Sequence, residues 1–112
     1  MKLYVDDIRR VPDDSWHLVR SNTEAIRILA TQHVEEISID HDIACYLVTG
    51  QEHTSNETFQ PVAYFIANMP KEFRPKTVRI HTANPVGGEM MATILKDKVE
   101  HIIRDDLKRD FE

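Results

Sequence analysis

Cysteine is almost missing: Cys45 stands alone in 112 residues, so no internal disulfide can form, which suits a reducing cytoplasm. Glycine is scarce at 3 residues, and neither a Walker A loop nor a G-x-G-x-x-G turn can be assembled from them. That leaves the ordinary triphosphate and dinucleotide folds without support. Positive charge is in deficit, 14 Lys+Arg against 19 Asp+Glu, and a net charge of −5 is a poor field for gripping duplex nucleic acid. No apolar run approaches the roughly 18 residues of a membrane span. The opening Met1-Lys2-Leu3-Tyr4-Val5 meets acid at Asp6-Asp7, too early for a secretory leader. Repeats, low-complexity tracts and linkers are lacking too. What remains is 41% hydrophobic and 29% charged, the balance of a small folded domain, expected to be one unit over residues 1–112 and cytoplasmic.

The chain alternates strand and helix signals. Leu3-Tyr4-Val5 reads as a buried strand and Trp16-His17-Leu18-Val19-Arg20 as a second, more peripheral one. Ser21-Asn22-Thr23-Glu24 spells a capping box, opening a helix with Ile26, Leu29, Ala30 and His33 on one face. Ile37-Ser38-Ile39-Asp40 is a third strand. Residues 43 to 57 look irregular, a long loop that leads to the strand ends and suits a lid. Phe59, Val62, Phe65, Ile66 and Met69 stripe a second helix, bounded by Pro61 and Pro70. Thr77 to Thr82 is a fourth strand, and Asn84-Pro85 caps a third helix that turns Met90, Met91, Ile94 and Leu95 inward. A last strand is expected over residues 99 to 103, then a mixed-charge tail. The expected architecture is an α/β sandwich of three layers on a mostly parallel five-stranded sheet. About nine residues join strands one and two, fewer than the dozen or so of a normal parallel crossover. Either a bare loop replaces the first crossover helix or the second strand runs antiparallel.

Ligands of open α/β sheets bind beyond the carboxyl ends of the strands. Here those ends carry Asp6-Asp7, Asp40-His41-Asp42 and His81-Thr82-Ala83-Asn84. An acid at one strand end is commonly a cap or a turn residue; three such ends together argue for a site. Four carboxylates, Asp6, Asp7, Asp40 and Asp42, cannot all ionise cheaply at close range, and Mg²⁺ or Mn²⁺ would relieve the repulsion. Zinc through His41, His81 and a carboxylate is the weaker alternative, because no H-E-x-x-H or Cys pair accompanies them. Gly87 and Gly88, in the first turn of the third helix, either open its amides to a phosphate or allow close packing on a strand. Arg9, with Arg10 just behind Asp6-Asp7, is expected to reach back over the same rim, with a fork that fits phosphate oxygens. His17, His33, His53 and His101 share no ligand spacing and read as surface or packing residues.

Leu3-Tyr4-Val5-Asp6-Asp7, Ile37-Ser38-Ile39-Asp40 and Ile80-His81-Thr82-Ala83 together resemble the receiver domains of two-component signalling. The resemblance implies a flavodoxin-like fold, a cation on Asp6, Asp7 and Asp40, phosphoryl transfer to Asp40, and Thr82 on the phosphoryl oxygens. Two departures stand out: the helix after strand one is missing, and no lysine stands at the end of strand five, around Ile102-Ile103-Arg104. The segments Asp6-Asp7-Ile8-Arg9, Ile39-Asp40-His41-Asp42 and Ile80-His81-Thr82-Ala83-Asn84-Pro85-Val86-Gly87 more closely resemble the cyclic-phosphate-processing receiver domains. The expectation is a metal-dependent phosphoesterase acting on a cyclic nucleotide or an RNA cyclic end. Asp40 and the cation would work with His41 and His81 as acid and base, and Arg9, Thr82, Asn84, Gly87 and Gly88 would hold the phosphate. A receiver phosphorylated on Asp40 and a non-catalytic cyclic-nucleotide-binding module are the alternatives. The expected partner is a small phosphate ligand, not a duplex or a membrane.

Overall fold

The computed structural model describes residues 1–46 and 52–106. In chain order the elements are β1 (Lys2–Val5), β2 (Trp16–Val19), α1 (Asn22–Thr31), β3 (Glu36–Ile39), β4 (Asp42–Tyr46) and β5 (Glu52–Thr58). Then come α2 (Gln60–Asn68), a 3-10 turn (Lys71–Phe73), β6 (Thr77–Thr82), α3 (Pro85–Leu95) and β7 (His101–Asp106). Five strands form one sheet in the order β2-β1-β3-β6-β7, and every pairing in it is parallel. The direction of the second strand is thereby settled. β2 is parallel to β1, reached by a bare crossover with no helix in it. Polar contacts brace that crossover: Asp13 accepts from the Ser15 amide at 2.8 Å, and the Arg20 guanidinium donates to the Arg9 carbonyl at 3.1 Å.

The bare crossover removes one of the three expected layers. From β2 onward the connections step the same way along the sheet, so the right-handed rule sends α1, α2 and α3 to a single face. Only the step from β1 to β2 goes the other way, and it carries no helix. Leu3, Val5, Val19, Ile37, Ile39, Val78 and Ile80 therefore face the helices, where Ala25, Leu29, Val62, Ala63, Ile66, Met91 and Leu95 close the core. The pleat turns the alternate residues to the opposite face, among them Lys2, Tyr4, Trp16, Glu36, Ser38, Arg79 and His81. No helix covers that face among the described residues. None of the described helices is long and apolar enough to cross a membrane.

Several element details differ from expectation. Residues 43 to 57 are not a plain loop, since β4 and β5 pair antiparallel as a separate two-stranded sheet. Glu52-His53-Thr54-Ser55-Asn56-Glu57-Thr58 has no apolar alternation to announce a strand, and residues 47–51 lie outside the described ones. α1 ends at Thr31, where the Gln32 amide closes on the Ile28 carbonyl, so His33 has left the helix and is exposed. Ala30 is exposed as well, and Ala25 takes the inward place. On α3 the buried row is Gly87, Gly88, Met91 and Leu95, leaving Met90 at the helix edge with 48% exposure. The last strand starts at His101 because Asp97, at φ 64, and the Lys98 amide on the Leu95 carbonyl first turn the chain out of α3. Residues 104–106 of the expected tail continue that strand, and the rest of it lies outside the described residues.

Candidate functional site

β1 and β3 are neighbours where the strand order reverses, which opens a crevice at their carboxyl ends. The ladder continues one residue past each: the Asp6 amide donates to the Val19 carbonyl and the Asp40 amide to the Val5 carbonyl. Backbone pairing thus fixes where both carboxylates start. One oxygen each from Asp6, Asp7 and Asp40 fall within 4.8 Å of one another. Asp6 is fully buried. Its Oδ1 accepts from the amides of Ile8 and Arg9, both at 2.8 Å, which bends the chain out of β1. Its Oδ2 accepts from His81 Nε2 at 2.9 Å, with Arg9 Nε 3.8 Å away. Burial alone would push the Asp6 carboxyl up, but the His81 and backbone hydrogen bonds hold it below its ordinary value.

Asp40 moves the other way. Burial first, then the charge of Asp6, push its carboxyl up to about 6, against the bonds it accepts from the His41 amide and the Thr82 hydroxyl. Thr82 is buried at the end of β6, and its Oγ1 also accepts from the Asn84 amide at 3.0 Å. Three oxygen donors, one of them reluctant to ionise alone, fit a hard cation such as Mg²⁺ or Mn²⁺. Neither imidazole belongs to this trio, which takes away the ligands that zinc would want.

The chain matches the cyclic-phosphate processing receiver domains over residues 1–97. It belongs to that family. No curated protein and no solved structure matches the chain.

In this receiver domain the remaining candidates fall into separate groups. Asp42 is not in the acidic trio: beyond Asp40 the chain leaves the main sheet for β4, and Asp42 turns to His41 Nδ1 at 2.7 Å and to the Asn84 amide group at 3.3 Å. His41 is buried, with Gln60 Nε2 3.0 Å from its own Nε2. His81 is also buried, with Ser38 Oγ 2.6 Å from Nδ1 and Asp6 on Nε2. Both of its ring nitrogens are therefore occupied. The Gly87 amide donates to Asn84 Oδ1 and the Gly88 amide to the Asn84 carbonyl, so the helix cap uses the two amides expected to hold phosphate. Packing accounts for both glycines. A Cβ at Gly87 would sit 2.3 Å from His41 Nδ1, and one at Gly88 would sit 2.6 Å from Arg104 Nη2. Arg104, near the strand end where receivers carry their lysine, bonds Glu89 at 3.2 Å and approaches the Pro85 carbonyl at 3.5 Å. Ser38 and Gln60 are not among the site residues that the sequence predicts. A lone hydroxyl between Ile37 and Ile39 was the available signal for the first; nothing in the local sequence marks the second.

Proposed function

We propose that this domain opens a cyclic phosphate ester with the help of a divalent cation. The observation that carries the proposal is the convergence of Asp6, Asp7 and Asp40 at the reversal point of the sheet. Those three carboxylates would hold the cation, whose chemistry when bound is to polarise a phosphoryl oxygen and make bound water more acidic. Thr82, beside Asp40, and Arg9, 3.8 Å from Asp6, would meet the non-bridging oxygens. The step is hydrolysis: water adds to phosphorus, one ring P–O bond breaks, and the departing alkoxide oxygen takes a proton to leave a monoester. For the proton of the attacking water, the geometry favours His41. Asp42 on its Nδ1 fixes the tautomer that leaves a lone pair on Nε2, where Gln60 now donates. His81 is withdrawn from it, because both of its nitrogens are held by buried groups, Ser38 and Asp6, whereas the half-buried Gln60 on His41 Nε2 would give way to substrate. Asp42 and the Gly87 and Gly88 amides act through the cap and His41 rather than on ligand. Phosphoryl transfer to Asp40 would use the same trio and Thr82, but Arg104 is engaged with Glu89, which disfavours the receiver switch.

The test is incubation of the protein with Mg²⁺ or Mn²⁺ and a panel of 2′,3′- and 3′,5′-cyclic nucleotides, followed by phosphorus NMR. Conversion of a cyclic signal to a monoester, stopped by chelator and by Asp40→Asn, is the expected result. Broadened but unconverted signals would mean capture without cleavage. Signals wholly unperturbed in the presence of bound cation would sink the proposal.

A further inference from the structure

We infer that Ser38 and His81 form a buried positioning relay that presents Asp6 to the cation, an inference that rests on the cation site proposed above. Three contacts immobilise the His81 ring. Asp6 Oδ2 lies 2.9 Å from Nε2, Ser38 Oγ lies 2.6 Å from Nδ1, and the Tyr4 ring stacks at 4.3 Å with planes 12° apart. Trp16 meets Tyr4 edge-on at 5.8 Å, and the Lys2 ammonium sits 4.3 Å over Trp16, so the stack continues along the face that no described helix covers.

Ser38 and His81 are both 2% exposed. Burying a hydroxyl and an imidazole costs free energy that an apolar pair of similar shape would avoid, unless each polar atom finds a partner. Each does, and Asp6 is where the line of partners ends. The contacts also assign the tautomer. A neutral ring has one N–H; Asp6, an ionised acceptor, calls for it on Nε2, and the Ser38 hydroxyl then donates to Nδ1. Asp6 sets this tautomer, because a serine hydroxyl donates or accepts as required, and Ser38 holds the ring in the plane that aims Nε2–H at Asp6. With Oδ1 tied to two backbone amides and Oδ2 tied to His81, the Asp6 carboxylate is held against rotation, with one lone pair on Oδ2 left over and one of its oxygens within 4.8 Å of oxygens of Asp7 and Asp40. A ligand oriented in advance binds its ion more tightly, and loss of such an outer partner typically costs about 10–100-fold in metal affinity.

Two measurements test this on the full chain without substrate. Nitrogen NMR of the metal-free protein should find His81 as the Nε2–H tautomer, with the Nδ1 signal moving to that of an unbonded nitrogen in Ser38→Ala. Titration with Mn²⁺, read by the electron resonance of the free ion, should show affinity down about tenfold in Ser38→Ala and further in His81→Ala. Melting temperatures taken alongside separate lost ion binding from lost fold, and Ser38→Ala decides if His81→Ala does not fold. An Nδ1–H tautomer in the wild type, or unchanged Mn²⁺ affinity in the folded variants, would overturn the relay while leaving the cation site standing. A wild type that binds no Mn²⁺ would remove both.

Discussion

Asp40 is a carboxyl held near 6 by burial and by its neighbour Asp6, where an unfolded chain would have it near 4. Across about pH 4 to 6 the folded protein keeps this proton and the unfolded chain loses it, so stability falls as pH rises through that window and stays lower above it. Asp40→Asn should flatten that dependence and raise stability at pH 7.5 without cation by about 1–3 kcal/mol. Urea unfolding at pH 4 and pH 7.5 checks it, and a less stable variant at pH 7.5 would contradict the assigned cause. Asp6 works in the opposite sense. Its lowered value gives stability that is present above its unfolded value and lost as pH falls through the folded one. The glycines differ from each other in the same way that their neighbours do. A methyl at Gly87 meets the root of the His41 ring at 2.4 Å, whereas at Gly88 it meets the far end of a flexible arginine. Gly87→Ala should cost about 1–3 kcal/mol and displace His41, and Gly88→Ala clearly less. Denaturant midpoints with unchanged slopes would establish the ranking, and equal losses would refute it.

At the scale of elements, the N-terminus of α3 joins fold to site. Asn84 caps the helix through the Gly87 amide and also donates to Asp42, which in turn orients His41. Asn84→Ala should lose about 1 kcal/mol of stability from the cap. It should also slow turnover by loosening Asp42, whereas Asn84→Asp should keep the cap and turn the Asp42 contact into repulsion between two carboxylates. Melting curves and rates taken on both variants separate the two effects. This end of α3 was legible in Asn84-Pro85, just as the strand ends were legible in Asp6-Asp7 and Asp40, because caps and strand-end acids are local signals. The β4–β5 pair was not, since a uniformly polar strand such as β5 carries no period-two alternation. The mates of His41 and His81 were illegible for another reason. Their side-chain partners Gln60, Ser38 and Asp6 lie 19, 43 and 75 residues away in sequence, and only packing decides which histidine faces what.

For the whole molecule, a cation that binds only the folded chain should stabilise it by mass action, by about 2.7 kcal/mol at a hundred times its dissociation constant. In a domain of this size that is a rise in melting temperature on the order of 10 °C. Thermal scans with Mn²⁺ and again with excess chelator read the effect directly, and no shift at saturating ion would weigh against the trio as a binding site. The bare first crossover has a consequence in time as well as in space. It brings Lys2 into register with Trp16, while the other parallel pairings join Lys2 to Glu36, Glu36 to Thr77 and Thr77 to His101. The first of these closes the shortest loop of the sheet and so surrenders the least chain entropy. β1 and β2 are thus expected to meet early in folding, with Val19→Ala slowing refolding more than it speeds unfolding. The reverse pattern in stopped-flow kinetics would reject that order. Asp6 and Asp7 lie inside this first loop, so the arm that carries two of the three acids is set in place before the strand that brings the third.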